Sequence, residues 1–123
     1  MLGDSMKKDE LVVTSLASEI LDDVFMSYKK NLTDLSKKND NGDPYSKMRN
    51  SLAKLSSEDQ VSVFNFIRLA MIDTSSVIFG TLDGSHFPPN IDGDFTVSYN
   101  GDEIQGSLQD KLISIAEEKG IYK

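Results

Sequence analysis

The run Ser56 to Gly84, SSEDQVSVFNFIRLAMIDTSSVIFGTLDG, constrains this chain more than any other stretch. Val63, Phe66, Ile67, Ala70, Thr74, Val77 and Ile78 recur at helical spacing. Val61, Phe64, Leu69, Ile72 and Phe79 widen the apolar surface beyond one stripe. A helix apolar over so much of its circumference is expected to be buried on several sides. Ser57 with Gln60 three residues on fits a capping box, Ser56 and Glu58 being near alternatives, and Gly80 is the expected stop. Arg68 and Asp73 stand five apart, out of step for a helical ion pair, so each needs another partner or water.

Around this run the sequence predicts a single α+β domain over residues 1–123: three N-terminal helices (long amphipathic, short, long buried), a β-hairpin and a C-terminal helix. Residues 1–6 read as a frayed leader. From about Lys8, Val13, Leu16, Ala17, Ile20, Leu21, Val24, Phe25 and Tyr28 alternate by three and four, and Leu32 and Leu35 extend the stripe. The segment Lys37–Pro44, KKNDNGDP, is a loop by composition. Read as a calcium loop it fails in both registers, placing Lys37 where a carboxylate is needed or Pro44 where the glycine belongs. Pro44 then opens a short helix to Leu55, with Tyr45, Met48, Leu52 and Leu55 inward and Arg49 and Lys54 facing away. Short connections suggest that the first and third helices pack antiparallel, with the second bridging them.

Residues 81–106 form a turn-rich β lobe, in which Phe87 and Ile91 are expected to tuck onto the core. Phe95, Val97 and Tyr99 alternate with Thr96 and Ser98, Asn100-Gly101 is a strong hairpin turn, and Asp102 to Gly106 is the returning strand with Ile104 inward. Ser107 with Asp110 suggests a second capping box, ahead of the inner face Leu108, Leu112, Ile115 and Ala116. The expected core includes Leu16, Ile20, Val24, Phe66, Ile67, Ala70, Val77, Leu112 and Ile115. Truncating Phe66 or Ile67 to Ala is then expected to cost about 2–5 kcal/mol.

Thirteen basic against twenty acidic residues give a net charge of −7, which argues against nucleic-acid backbones and anionic membranes as partners. The chain has no cysteine, so disulfides and thiolate metal sites are excluded. The N-terminal residues have no apolar run of signal-peptide length, and the cytoplasm is the expected location. Neither a phosphate-binding glycine loop nor a nucleophile elbow is present, and no cofactor or metal is expected. The residues from which a polar site is conceivable are Arg68, Asp73, Asp83 and His86, with Asp92 near the histidine. Brought together, the carboxylates and His86 would hold a metal or exchange protons, and Arg68 would hold an anion. That is the alternative reading, a small enzyme or ligand-binding protein. Asp83, Asp92, Asp94, Asp102 and Glu103 crowd the β lobe, either as solvated turns or as an anionic docking surface.

The segments IDTSSVIFGTLDGS and FTVSYNGDEIQGSLQD resemble small acidic uncharacterised bacterial proteins of the immunity-protein or mobile gene-cassette type. The resemblance covers the C-terminal half, where a long helix runs into an LDG turn, a strand pair and a closing LQD helix. It implies a non-enzymatic accessory protein that binds a protein partner, with no catalytic residues to assign. The first hairpin strand, Phe95, Thr96, Val97, Ser98 and Tyr99, is the expected interface for a homodimer, because a short hairpin leaves its edges unpaired.

Overall fold

The computed structural model describes residues 6–36 and 42–123. The expected leader through residue 5 and the loop residues 37–41 lie outside the described residues. The first helix is one continuous rod in three parts: α1 (Lys8–Ser18), a π-helical stretch (Glu19–Val24) and α2 (Phe25–Thr33). It is followed by α3 (Pro44–Ala53), α4 (Ser57–Asp83), the strands β1 (Ser98–Tyr99) and β2 (Asp102–Glu103), and α5 (Leu108–Glu118).

The π stretch has a packing consequence. Val13, Ala17, Leu21 and Phe25 are all buried, at intervals of four. In a regular α-helix each such step drifts by about 40°. A π turn closes i→i+5 bonds and holds more residues, so it offsets that drift between Leu21 and Phe25. The first three of these residues join Ile72, Ile104, Leu108, Leu112 and Ala116 in the main core. Phe25 turns instead to a second cluster with Leu52 and Phe64, where the Phe25 and Phe64 rings meet edge to face at 6.4 Å.

α5, rather than α3, bridges the first and third helices: it packs on both α1 and α4, while α3 packs on α2. The reason is size and pattern. α3 offers Leu52 as its one buried large apolar side chain, whereas α5 offers Leu108, Leu112 and Ala116 on one face. The buried polar residues of α3 are Ser46 and Arg49. Arg49, expected to face away, turns inward because its guanidinium bonds Asn31 Oδ1 at 2.5 Å and Ser46 Oγ at 3.3 Å.

α4 starts at the neighbouring serine: Ser56 Oγ accepts from the Asp59 N–H at 3.1 Å. The expected partner Gln60 instead donates to the Leu52 and Leu55 carbonyls, closing the α3–α4 turn. The helix also runs past Gly80 to Asp83, where Gly84 at φ 78° takes the left-handed stop, a conformation that costs glycine little. Gly80 has another role. A Cβ there would lie 2.7 Å from Gln109 Nε2, so the missing side chain lets α5 approach α4. The hairpin turn forms as expected, with Asn100 and Gly101 both at positive φ. Its strands shrink to two residues each, in the register Ser98↔Glu103 and Tyr99↔Asp102. Lys8 Nζ ties it to the first helix through the Asn100 carbonyl at 2.9 Å and Asp102 at 2.6 Å.

The largest departure concerns burial. Leu112 lies in the core as expected, Ile20 and Ile115 pack against its edges, and Ile67 packs against the second cluster. Phe66 is 69% exposed, and Leu16, Ala70 and Val77 also face solvent. Phe87 and Ile91 are exposed as well. The buried residues of α4 are Phe64 and Ile72, on the other side of the helix, and Gly80, where Gln109 of α5 covers it. With 11 residues, α5 covers only part of a helix of 27. Ile72→Ala or Leu112→Ala is therefore expected to lower unfolding free energy by about 2–5 kcal/mol. Phe66→Ala should change the stability of the monomer by less than about 0.5 kcal/mol, as for other surface changes. Urea denaturation of the three variants checks both statements.

Candidate functional site

The four polar residues singled out from the sequence do not meet. Arg68 reaches to the first helix, its guanidinium 3.5 Å from Asp22 Oδ1 and 5.3 Å from the Phe25 ring centroid. Lys119, which caps the C-terminus of α5, approaches the other oxygen of Asp22 at 3.4 Å. One carboxylate thus links the π stretch, α4 and the end of α5. The Arg68 Nε is buried with no partner among the described residues.

Asp73 is exposed on a different side of α4. It faces the C-terminal tail, where burial first, then the charges of Asp73 and Glu117, hold the Tyr122 phenol above its ordinary pKa of 10.0. Asp83 lies fifteen residues beyond Arg68, roughly 22 Å along the helix. Its carboxylate is fully engaged in the backbone: Oδ1 accepts from Gly106 N at 2.7 Å and Leu108 N at 3.1 Å, and Oδ2 accepts from Gln109 N at 2.8 Å. Asp83 thereby caps α5 from another helix, replacing the expected Ser107 cap, whose side chain makes no capping bond. His86 is exposed just past the end of α4, its backbone N–H bonded to the Gly80 carbonyl. Among the described residues no three His, Cys, Asp or Glu side chains are placed to hold a metal.

The β lobe is also more committed than its composition suggests. Asp83 is a cap and Asp102 pairs with Lys8. In the expected interface strand, Val97 packs against the main core, its N–H bonds Gln105 Oε1 at 2.9 Å and its carbonyl accepts from Ile104 N at 2.8 Å. Phe95, Thr96, Ser98 and Tyr99 are exposed.

What the structure does assemble is an apolar surface. Ile20, Val24 and Tyr28 of the first helix face Ile67, Met71 and Thr74 of α4 across an open groove of about 420 Å³. At Tyr28 and Ile67 it runs into a second hollow of about 270 Å³ beneath Tyr45 and Met48, where Tyr28 and Tyr45 stack at 6.4 Å. Beside the groove rise Phe66, Ala70, Val77 and Ile78, all exposed. The charged side chain that adjoins these residues is Asp73, three residues after Ala70 and four before Val77. α4 is long and apolar enough to cross a membrane by length and composition, and only 11% of its most apolar stretch is buried inside the fold. A third hollow of about 420 Å³, on the other side of the pair, is lined by Asp22, Lys29, Asn65 and Arg68, where the arginine is already paired.

The sequence disclosed the stripe but not its direction. The available signal was the shortage of apolar helix faces elsewhere in the chain to cover both sides of α4. Asp83 had no such signal, because its partners lie more than twenty residues away in sequence. None of the protein families, curated proteins or solved structures compared with the chain matches it.

Asp83→Ala is expected to destabilise the fold by about 1–2 kcal/mol through loss of the α5 cap. Faster amide exchange at Gly106, Leu108 and Gln109, ahead of exchange in the α4 core, would report it. A second outcome follows from Tyr122. Because its folded pKa is raised, its contribution to stability is present below pH 10 and fades as pH rises through the folded value. Asp73→Asn should lower the tyrosinate midpoint, read as an absorbance difference against Tyr122→Phe.

Proposed function

We propose that this chain is a non-enzymatic protein-interaction module, and that its working surface is the apolar face formed by α4 and the groove beside it. The observation that carries the reading is the outward direction of the chain's strongest apolar stripe, led by Phe66 at 69% exposure. A continuous apolar face of this kind, larger than a few hundred Å², marks an interaction site on a protein surface. The dispersal of Arg68, Asp73, Asp83 and His86 favours this reading over a small enzyme or ligand-binding protein, which needs convergent polar groups in one pocket. An accessory role of the immunity or regulatory type is consistent with a small acidic protein that works by binding.

Protein is favoured over lipid as the occupant. Helices that lie on membranes carry Lys and Arg on their polar face. α4 carries Glu58, Asp59, Asp73 and Asp83 against Arg68, which is turned inward to Asp22. The hairpin edge, two residues long per strand, offers a partner few main-chain bonds, so the helical face takes its place as the proposed interface.

A photoreactive benzoylphenylalanine at Phe66 or Val77, introduced in cells that make the protein, is expected to yield protein adducts of discrete mass. The same probe at Asn65, exposed on the opposite flank of α4 beside the Asp22–Arg68 hollow, should yield none. Absence of protein adducts from both Phe66 and Val77 would falsify the proposal.

A further inference from the structure

The geometry points to one occupant for this face: a second copy of the same chain, packed through α4 in antiparallel orientation about a two-fold axis that crosses the exposed face between Ala70 and Thr74. The inference rests on reading the face as a protein-binding surface and names the partner.

Two observations carry it, and a third sets its dependence on salt. The first is the order of side chains along the exposed arc. Phe66 and Ile67 stand four and three residues before Ala70, and Val77 and Ile78 stand three and four residues after Thr74. Centred on Ile72, this pattern has the same spacing of large and small side chains in either direction. An isologous interface requires that property, because each patch must be its own complement. Antiparallel pairing sets Ala70 of one copy beside Thr74 of the other, so small side chains meet at the axis and let the helices approach. Phe66 and Ile67 then lie toward Val77 and Ile78 of the facing copy at both ends.

The second observation is area. Phe66, Tyr28 and Tyr45 are 69%, 38% and 43% exposed. A full aromatic side chain carries about 150–250 Å², so these three alone supply roughly 300 Å². With Met48, Ile67, Ala70, Thr74, Val77 and Ile78 the face approaches ~700–800 Å², the share per partner in a standard interface.

The third is charge. Two chains of net charge −7 repel, and most of the surface forbids their contact. Asp73 stands at the edge of this face on the side of Tyr122, three residues after Ala70 and four before Val77, and the two-fold brings it near its mate as a carboxylate pair that opposes contact. Salt screens the residual repulsion, so dimerisation should strengthen between 0.05 and 0.5 M sodium chloride, where the Debye length falls below about 10 Å.

The test is sedimentation equilibrium of the full chain at micromolar concentration, with melting curves on the same samples. The expected species is a dimer of the 13.6 kDa chain. Ala70→Glu and Phe66→Glu, both at exposed positions, should weaken it at least about 30-fold while leaving the monomer's melting temperature within a few degrees. Orientation is read separately, because the chain has no cysteine of its own. In an equimolar mixture of Ala70→Cys and Thr74→Cys chains under mild oxidation, mixed disulfides should exceed both homodisulfides. A monomer at all concentrations overturns the self-pairing, as does a dimer indifferent to both glutamates. Flotation of a monomer with neutral phosphatidylcholine vesicles overturns it in favour of a lipid surface. The broader reading of the face as protein-binding falls only if the adducts at Phe66 and Val77 also fail to form.

Discussion

The seating of α5 between α1 and α4 is the contact on which the rest of this structure depends. Leu108, Leu112 and Ala116 supply one side of the main core, and Val13, Ala17, Leu21 and Ile72 supply the other. Such burial is non-directional and would tolerate several positions of the helix. The polar contacts remove that freedom. Asp83 holds the start of α5 and the residue leading into it by three backbone N–H groups, Gln109 Nε2 donates to the Ser76 carbonyl beside Gly80, and Lys119 reaches Asp22 at the far end. Apolar area drives the association, while hydrogen bonds at both ends set its register.

That arrangement explains why α4 is left half uncovered. A helix of 27 residues spans roughly 40 Å, more than an 11-residue partner can line. α5 covers the C-terminal half and α3 with α2 the N-terminal start, and the two cores meet where Arg68 lies over Phe25. The side of α4 turned away from both has no element of this chain to pack on. The polar node at Asp22 and Arg68 sits on the opposite flank from the apolar groove. The molecule thus has one flank closed by ion pairs and one left apolar, and the second is the proposed interface.

Much of the element list was legible before the fold. The three-four alternation of the first helix, Pro44 at the start of α3, the serine pair before α4 and Asn100-Gly101 in the hairpin act within a few residues of chain, so local sequence determines them. The candidate polar site was not legible. Arg68, Asp73, Asp83 and His86 were joined by chemical type alone, and helix geometry spreads the first three along one rod and leaves the fourth past its end. Capping from a distant helix, as by Asp83, leaves no mark in the sequence around Ser107.

What the sequence by itself determined is therefore periodicity: which residues share a helix face, where chain direction reverses, and that the chain is acidic and free of cysteine. What tertiary structure decided is which face goes inward. On α4 the apolar residues occupy nearly the whole circumference, so hydrophobicity alone ranks Phe66, Ala70 and Val77 with Phe64 and Ile72. The choice fell to elements remote in sequence. Gly80 admits Gln109, Asp83 anchors the α5 backbone, and both lie on the side that holds Ile72 against Leu112. Periodicity is local and burial is not, because a face becomes interior only when another part of the chain, or another chain, is there to cover it.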